Sequence, residues 1–489
     1  MFKHKNVIIS VFDKTNLDII AKFLIDKKFN IYSTGGTSKY LKDKKIKHIE
    51  IARYTKQKEI LGGRVKTLHP KIFAGLLGTE SKVHQKQLIK YNIKNFDLLI
   101  INLYPFEETL KNTTNAKEIL EMIDIGGHSL IRAAVKNYEK TLTIVSPDDY
   151  QNVIKNFKNI EKFRKKSAVN ALRHITDYDV AITNWFEGKI IQKYPLRYGE
   201  NPHQKAYANI EKNSFEQLSG EKELSYNNIL DLDAAINIAY QKNQTGNICA
   251  IIKHNIPCGA AIHASQLESY HKALAGDPLS AFGGIVAFNK KVTSKTARSL
   301  SKNFYEVIAA PDFDKEALKI LSKKKNLRII KVKNVKNQPE RKSFFGGELV
   351  QEKNNKISKI KSINGKMSLK KEKLNFFINI LKYIKSNTIA IFDNNSLLAQ
   401  SGGQTSRVDA LQNCISKLKQ KHPTSKKSKL FLFSDAFFPF TDSLSLIKNE
   451  NLNIDLVAPL GSINDDKIIK FVKDNKINFF QLSDRHFKH

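Results

Sequence analysis

Cysteine, tryptophan and long apolar runs are all scarce in this chain of 489 residues. Its three cysteines, Cys249, Cys258 and Cys414, lie scattered. That excludes a disulfide-stapled extracellular module and suits a reducing, cytoplasmic setting. No apolar run approaches the length a bilayer demands, so no membrane role is expected. The strand-like run Val7-Ile8-Ile9 begins so early that no secretory or transit leader is expected. Arginine is scarce too: the formal net charge of +35 is carried mostly by lysine, spread along the chain. Phosphate and base readout favour the bidentate arginine fork. Helix-turn-helix, zinc-finger and aromatic ribonucleoprotein patterns are missing. No nucleic-acid partner is therefore expected, although a basic nucleic-acid-binding protein stays the non-enzymatic alternative.

What is present is an ordinary globular composition, 41% apolar, on a chain long enough for roughly two to four domains. Up to about residue 150, apolar runs at Val7 to Val11, Ile31-Tyr32, Leu98 to Leu103 and Leu142 to Val145 alternate with helix-like stretches. This alternation predicts a parallel α/β sheet. A helix near Lys165 to Phe186 closes this half, and Gln192-Lys193-Tyr194-Pro195 reads as a linker. The remainder again mixes strands and helices. Two Lys/Asn/Ser-rich stretches, Lys353 to Lys373 and Ser416 to Lys429, interrupt it and read as solvated loops or surface helices. The expected division is a domain over 1–190 and two lobes over 196–360 and 361–489.

Several few-residue clusters carry chemistry. Ser33-Thr34-Gly35-Gly36-Thr37 follows a strand and opens a helix. Such a loop offers backbone amides, hydroxyls and a helix N-terminus to an anion. It lacks the Walker Lys-Ser/Thr, so a monophosphate suits it better than a triphosphate. Gly62-Gly63-Arg64-Val65-Lys66-Thr67-Leu68-His69-Pro70 places two cations two residues apart. Asn102-Leu103-Tyr104-Pro105-Phe106 ends one strand, and Ile123-Asp124-Ile125-Gly126-Gly127 opens a helix that contains Arg132 and Lys136. On a parallel sheet these segments gather at one edge, where ligands bind. Lysines, a tyrosine and a carboxylate beside a phosphate loop can polarise a carbonyl and move protons without a metal.

In the second half, the apolar run Ala250-Ile251-Ile252 leads into Lys253-His254, then Asn255-Ile256-Pro257-Cys258-Gly259. Neighbours on a strand face opposite ways, so the pair addresses one substrate only if the backbone bends there, and Pro257 is expected to impose that bend. Alone, the pair reads more readily as a solvated strand end. Pro257-Cys258 invites comparison with the ligand motif of zinc deaminases, which needs a second cysteine three residues on and a His-x-Glu or Cys-x-Glu element. Position 261 is Ala, and neither element occurs at the required spacing. No catalytic metal is expected.

Taken in order, Ser10-Val11-Phe12-Asp13-Lys14-Thr15, the Ser33 to Thr37 loop, Gly63 to Pro70, Asn102 to Phe106 and Ile123 to Gly127 resemble the inosinate cyclohydrolase half of the bifunctional purine-biosynthesis family. That half has a methylglyoxal-synthase-like α/β fold. The resemblance implies that Lys14 and Ser33, Thr34, Gly35, Gly36 and Thr37 hold a substrate phosphate. It implies that Arg64, Lys66, Thr67, Asn102, Tyr104, Asp124, Gly126, Gly127 and Lys136 surround the base during ring closure.

The rest of the chain is similar to the formyltransferase half of the same family, built from two deaminase-like lobes. The segments are Leu196 to Gln204, Leu224 to Asn228, Lys253-His254, Asp277 to Gly284, Glu306 to Pro311, Ser386-Asn387, Gly403 to Arg407, Ser434 to Phe440 and Arg485 to His489. The resemblance implies transfer of a formyl group from 10-formyltetrahydrofolate to aminoimidazole carboxamide ribotide (AICAR). The formylated product (FAICAR) then closes to inosinate (IMP). His254 would take the amine proton while Lys253 and Asn387 stabilise the tetrahedral centre. Arg197, Tyr198, Arg485, Gln404 and Arg407 would bind substrate, with Asn228, Phe282, Gly283 and Glu306 shaping the pocket. Phe437, Phe438 and Asp442 would face the folate. A homodimer with the transferase site between subunits is also implied. The sequence departs from the family pattern at Asn255-Ile256, Gln400 to Gln404 and Pro459 to Asp465, leaving loop geometry around the folate open. Retention of only one of the two activities is a further alternative.

Overall fold

The structure is a computed structural model that describes residues 2–241, 244–335, 338–423 and 428–489. The chain divides into two compact units, Met1–Ile191 and Gln192–His489.

The first unit is a five-stranded sheet of β1 (Asn6–Ser10), β2 (Asn30–Ser33), β3 (Ile49–Glu50), β4 (Leu98–Ile101) and β5 (Leu142–Ile144). The order is β3-β2-β1-β4-β5 and every pairing is parallel. Helices cover both faces, which explains why the strands read as unbroken apolar runs. Along β1, Val7 and Ile9 enter one core and Ile8 the other. The long helix Glu161–Phe186 buries Ala171, Ile175 and Tyr178 in the second of these cores. Chain order reverses at β1, which lies between β2 and β4. The loops leaving the C-terminal ends of these three strands therefore flank one crevice.

In the second unit, β6 (Ile191–Leu196) and β7 (Ala206–Glu211) form a ribbon. The segment expected as a linker, Gln192 to Pro195, is thus part of a strand. A six-stranded sheet follows, made of β8 (Phe215–Ser219), β9 (Asn247–Lys253), β10 (Ile256–His263), β11 (Gly284–Phe288), β12 (Tyr305–Ala310) and β13 (Arg328–Val332). Its order is β10-β9-β11-β12-β13-β8. An exposed hairpin, β14 (Glu340–Phe344) and β15 (Gly347–Gln351), precedes the second sheet. That sheet contains β16 (Ile360–Asn364), β17 (Ile389–Phe392), β18 (Leu397–Ser401), β19 (Leu430–Ser434), β20 (Ile454–Pro459) and β21 (Asn478–Leu482), in the order β16-β21-β20-β19-β17-β18.

One buried cluster joins the two sheets: Ile248, Ala250 and Ile252 from β9 share it with Ala390 and Phe392 from β17 and Phe433 from β19. The sheets also meet edge to edge, where the Ile262 amide donates to the Asn395 carbonyl at 2.9 Å. The Lys353 to Lys373 stretch is not simply a solvated loop. It contributes β16 and the first turn of the helix Lys371–Leu381. Of the Ser416 to Lys429 stretch, the first residues end the helix Arg407–Lys421, and 424–427 lie outside the described residues.

Among the described residues no helix is long and apolar enough to cross a membrane.

Candidate functional sites

In the first unit the glycine loop links β2 to a helix. Thr34 is extended, and Gly35, at φ 54°, turns the chain into the helix Gly35–Asp43. Ser33 and Thr37 are buried and tie the loop to the sheet, through the Ile9 carbonyl at 2.8 Å and the Val11 carbonyl at 2.9 Å. Two ammonium groups converge on the glycines. A β-carbon built at Gly35 would lie 3.5 Å from Lys66 Nζ, and one at Gly36 would lie 4.0 Å from Lys14 Nζ. Glycine leaves that space open for an anion's oxygens.

Lys66 Nζ donates to the Tyr104 hydroxyl at 3.3 Å. Asp124 caps the helix Ile125–Lys136 by accepting from the Gly127 amide at 2.7 Å. Burial pushes the Asp124 carboxyl above the usual carboxylate range, opposed by the Gly127 amide and the Lys66 ammonium. Thr67 packs on this turn: a β-carbon at Gly126 would approach its Oγ1 to 2.7 Å. The sequence-predicted Lys14, Lys66, Thr67, Tyr104, Asp124, Gly126 and Gly127 therefore gather with the Ser33 to Thr37 loop.

Three expectations change. Asn102 does not face the crevice as a free ligand. Its Oδ1 accepts from the Phe12 and Asp13 amides at 2.6 and 2.9 Å, and its Nδ2 donates to the Asp13 carbonyl at 3.0 Å, so it fixes the loop after β1. Arg64 is exposed and ion-paired with Glu121. Lys136 ends the helix that Asp124 begins, about 18 Å away along its axis. There it lines an open recess with Phe73, Leu77, Arg132 and Leu172. Within one chain Lys136 is not part of the cluster.

In the second unit Lys253 and His254 lie at the tip of the β9–β10 hairpin. Pro257 is not the source of the bend, because it pairs with Ile252 inside β10. The turn is made by His254 and Asn255 themselves, at φ 53° and 60°, between the paired residues Lys253 and Ile256. Two left-handed residues between paired strands match the twist a tight hairpin needs. Lys253 Nζ donates to the Phe282 and Gly283 carbonyls, each at 3.1 Å. The exposed Phe282 ring lies 5.2 Å from that of Phe304.

Asn228 stands in a capping box with Ser225 at the start of the helix Tyr226–Ala239. Its Nδ2 donates to Glu306 at 2.7 Å, and its Oδ1 accepts from Arg328 at 2.6 Å. Arg328 is buried, also reaches Glu306 at 3.2 Å, and its Nε is unpartnered. Arg197 stacks on the Tyr198 ring at 4.9 Å, and the Tyr226 amide donates to the Tyr198 carbonyl at 3.2 Å. Sequence reasoning missed Arg328. It carried no local signal, because it heads a strand, Arg328–Val332, that also contains Lys331.

On the second sheet, the Asn387 amide group donates to the Gln404 and Thr405 carbonyls at 3.0 and 3.1 Å. Arg485 is exposed and stacks on Phe487 at 4.9 Å. Arg407 is buried rather than presented to a ligand: it pairs with the fully buried Asp435 and donates to the Thr388 carbonyl at 3.2 Å. Phe438 is also core, packed with Leu411, Leu432 and Leu444. Phe437 is half-buried and faces the glycine turn at Gly461, while Asp442 is exposed at the start of a helix.

Burial pushes the Cys258 thiol up to about 12, and its Sγ donates to the Ile251 carbonyl at 3.4 Å. That is the behaviour of a packed thiol rather than a ligand thiolate. Among the described residues no group of three or more His, Cys, Asp or Glu is disposed to hold a metal ion.

A glycine loop facing two lysines at a parallel-sheet edge and a Lys-His hairpin turn on a mixed sheet give an α/β protein with two candidate centres. Comparison with known proteins narrows this. A family model described as MGS-like domain matches residues 16–129, and one described as AICARFT/IMPCHase bienzyme matches residues 134–417. The bifunctional purine biosynthesis protein PurH of Persephonella marina is 40% identical, over 99% of this chain and 100% of its own length. The PurH proteins of Prochlorococcus marinus strain MIT 9301 and Clostridium perfringens strain SM101 are 40% and 39% identical, each over 99% of this chain and 99% and 100% of their own lengths. A solved chain described as the crystal structure of ForH aligns at TM-score 0.34 and 27% identity over 38% of this chain and 97% of its own, too loosely to carry an argument. The chain belongs to the AICARFT/IMPCHase bienzyme family, the bifunctional enzymes of purine biosynthesis.

Proposed function

We propose that this protein takes the formyl group of 10-formyltetrahydrofolate onto the 5-amino group of AICAR and then closes the resulting FAICAR to IMP with loss of water. The observation that carries this reading is the convergence of Lys14, Lys66, Tyr104 and Asp124 on the Ser33 to Thr37 loop. There the loop and Lys14 hold the ribotide phosphate. Lys66 and Tyr104 polarise the formyl oxygen that leaves as water, and Asp124, with its raised proton affinity, takes the proton from the attacking carboxamide nitrogen.

In the second unit the substrate amine is a weak nucleophile, because its lone pair is delocalised into the imidazole ring. His254 removes its proton as it attacks the formyl carbon, and collapse of the tetrahedral centre breaks the bond to N10 of tetrahydrofolate, to which His254 returns the proton. The ammonium of Lys253, already aimed by two carbonyls, stabilises the oxyanion. Lys253 and His254 bond to Phe282, Gly283 and Asp231, in the loop and helix that flank the first sheet, whereas Asn387 bonds to Gln404 and Thr405, in the loop after β18 of the second. This separation supports a homodimer in which a second copy brings Asn387, Arg485 and Phe437 to the turn. The excess of lysine favours capture of an anionic ribotide and a polyglutamylated folate, and the reaction belongs to the cytoplasm without a nucleic-acid partner or a catalytic metal.

The test supplies AICAR and 10-formyltetrahydrofolate and follows products by chromatography. IMP is expected. Accumulation of FAICAR alone reduces the reading to a transferase, conversion of added FAICAR alone reduces it to a cyclohydrolase, and neither product sinks it.

A further inference from the structure

The turn that carries Lys253 and His254 is conformationally awkward. His254 and Asn255 are both left-handed and neither is glycine. Asparagine tolerates this region better than most residues and histidine less so, and two in succession persist only where the surroundings hold them.

The helix Tyr226–Ala239 supplies the hold. Asp231 offers one carboxylate oxygen to the His254 amide at 3.2 Å and the other to the Asn255 amide at 2.5 Å. A single side chain thus occupies both backbone donors at the apex of the turn. Asp231 is half-buried, and burial raises its proton affinity against the pull of those two amides and of the nearby His254 and Lys253 side chains. Asn228, three residues earlier and on the same helix face, holds Glu306 and Arg328. Two consecutive turns of one helix therefore fix the pocket wall and the Lys-His turn in a common frame.

We propose that Asp231 is a positioning residue for formyl transfer, clamping the His254-Asn255 backbone so that the imidazole of His254 and the ammonium of Lys253 meet one substrate together. This rests on the transferase reading of the pair. Asp231 touches no reacting atom. It acts by removing the freedom of the turn to relax into a right-handed conformation, in which the two side chains diverge.

The experiment is a double-mutant cycle on the full chain. Asp231→Ala is expected to lower kcat for formyl transfer by about 10- to 100-fold, the scale of a small misplacement of catalytic groups, with a smaller change in the KM for AICAR. Cyclohydrolase activity on added FAICAR should not change. Glycine suits a left-handed turn without help, so in an Asn255→Gly background the same Asp231→Ala change should cost less than about fivefold. A role in general folding alone would leave the two losses independent. If Asp231→Ala does not fold, Asp231→Asn, which keeps one acceptor oxygen, serves instead, with a loss of about three- to tenfold expected. Parental kcat in whichever of these variants folds, or an undiminished loss in the glycine background, overturns the proposal. A parent enzyme that makes no FAICAR from AICAR and 10-formyltetrahydrofolate overturns the transferase reading itself, before any variant is compared.

Discussion

Lys253 Nζ donates to the Gly283 carbonyl at 3.1 Å, and a β-carbon on Gly283 would stand 2.9 Å from the same ammonium. Gly283 is also left-handed, at φ 67°. Gly283→Ala therefore strains the turn and displaces the ammonium at once. Formyl transfer should fall about 100-fold and stability by about 1 kcal/mol. Assaying both activities in one preparation checks this, because the cyclohydrolase rate should stay at the parental level.

His254→Ala should cost formyl transfer about 10² to 10⁴, the usual worth of a positioned general base. Conversion of added FAICAR to IMP should continue. A variant that still formylates AICAR at the parental rate removes His254 from the mechanism.

At the other centre, Tyr104→Phe deletes the hydroxyl that Lys66 approaches. Loss of one donor to a developing oxyanion lowers the cyclohydrolase rate about 10²- to 10³-fold. Transfer continues, so FAICAR should build up when the enzyme is fed AICAR and formyl donor, and chromatography of the stopped reaction measures it.

Arg407→Ala tests a structural assignment rather than a catalytic one. The change strands the buried Asp435 carboxylate, which also holds the Ser386 hydroxyl at 2.5 Å and the Thr388 amide at 3.2 Å on either side of Asn387. Breaking such a pair costs about 3–5 kcal/mol. Urea denaturation should report that loss, and a fully stable variant with only a raised KM for AICAR would return Arg407 to the substrate site.

His486 supplies a pH dependence. It is buried, bonds Ser358 Oγ at 2.8 Å, and burial lowers its pKa from 6.5 to about 4. The unfolded chain takes up the proton first. The contribution to stability is therefore full above pH 6.5 and is lost as pH falls through the interval down to about 4. A shift of that size corresponds to about 3 kcal/mol. Urea midpoints measured across the interval should fall with pH, and His486→Asn should flatten that part of the curve.

How much of this was legible depends on whether a feature belongs to a segment or to a meeting of segments. The sheet of the first unit was legible, because strands buried on both faces must be apolar throughout and loops between them carry glycine and hydroxyl residues. The motifs around Gly35, Lys66 and Asp124 were legible for the same reason. Asn102 and Arg407 were recognisable as special but not as scaffold, since only the folded chain puts the Phe12 amide or the Asp435 carboxylate beside them. Lys136 is misleading in the opposite way: its place in the motif says nothing about the length of helix between it and Asp124. The bend after Lys253 was credited to Pro257, whereas the register assigns it to His254 and Asn255. Asp231 and Arg328 carry no local signature that separates them from other charged residues.

The β9–β10 hairpin has a tight turn, because Lys253 pairs directly with Ile256 across it, and β10 already carries one extra residue, Cys258, in a bulge between Pro257 and Gly259. Ile248, Ala250 and Ile252 serve one core while Cys249 and Ile251 serve the other. A single residue inserted within β9 would exchange those allegiances and carry Lys253 to the wrong side of the sheet. The hairpin therefore accepts a change of side chain more readily than a change of count. A change of count in the turn or in β9 is thus expected to cost formyl transfer, whereas the exposed β14–β15 arm is free of that constraint.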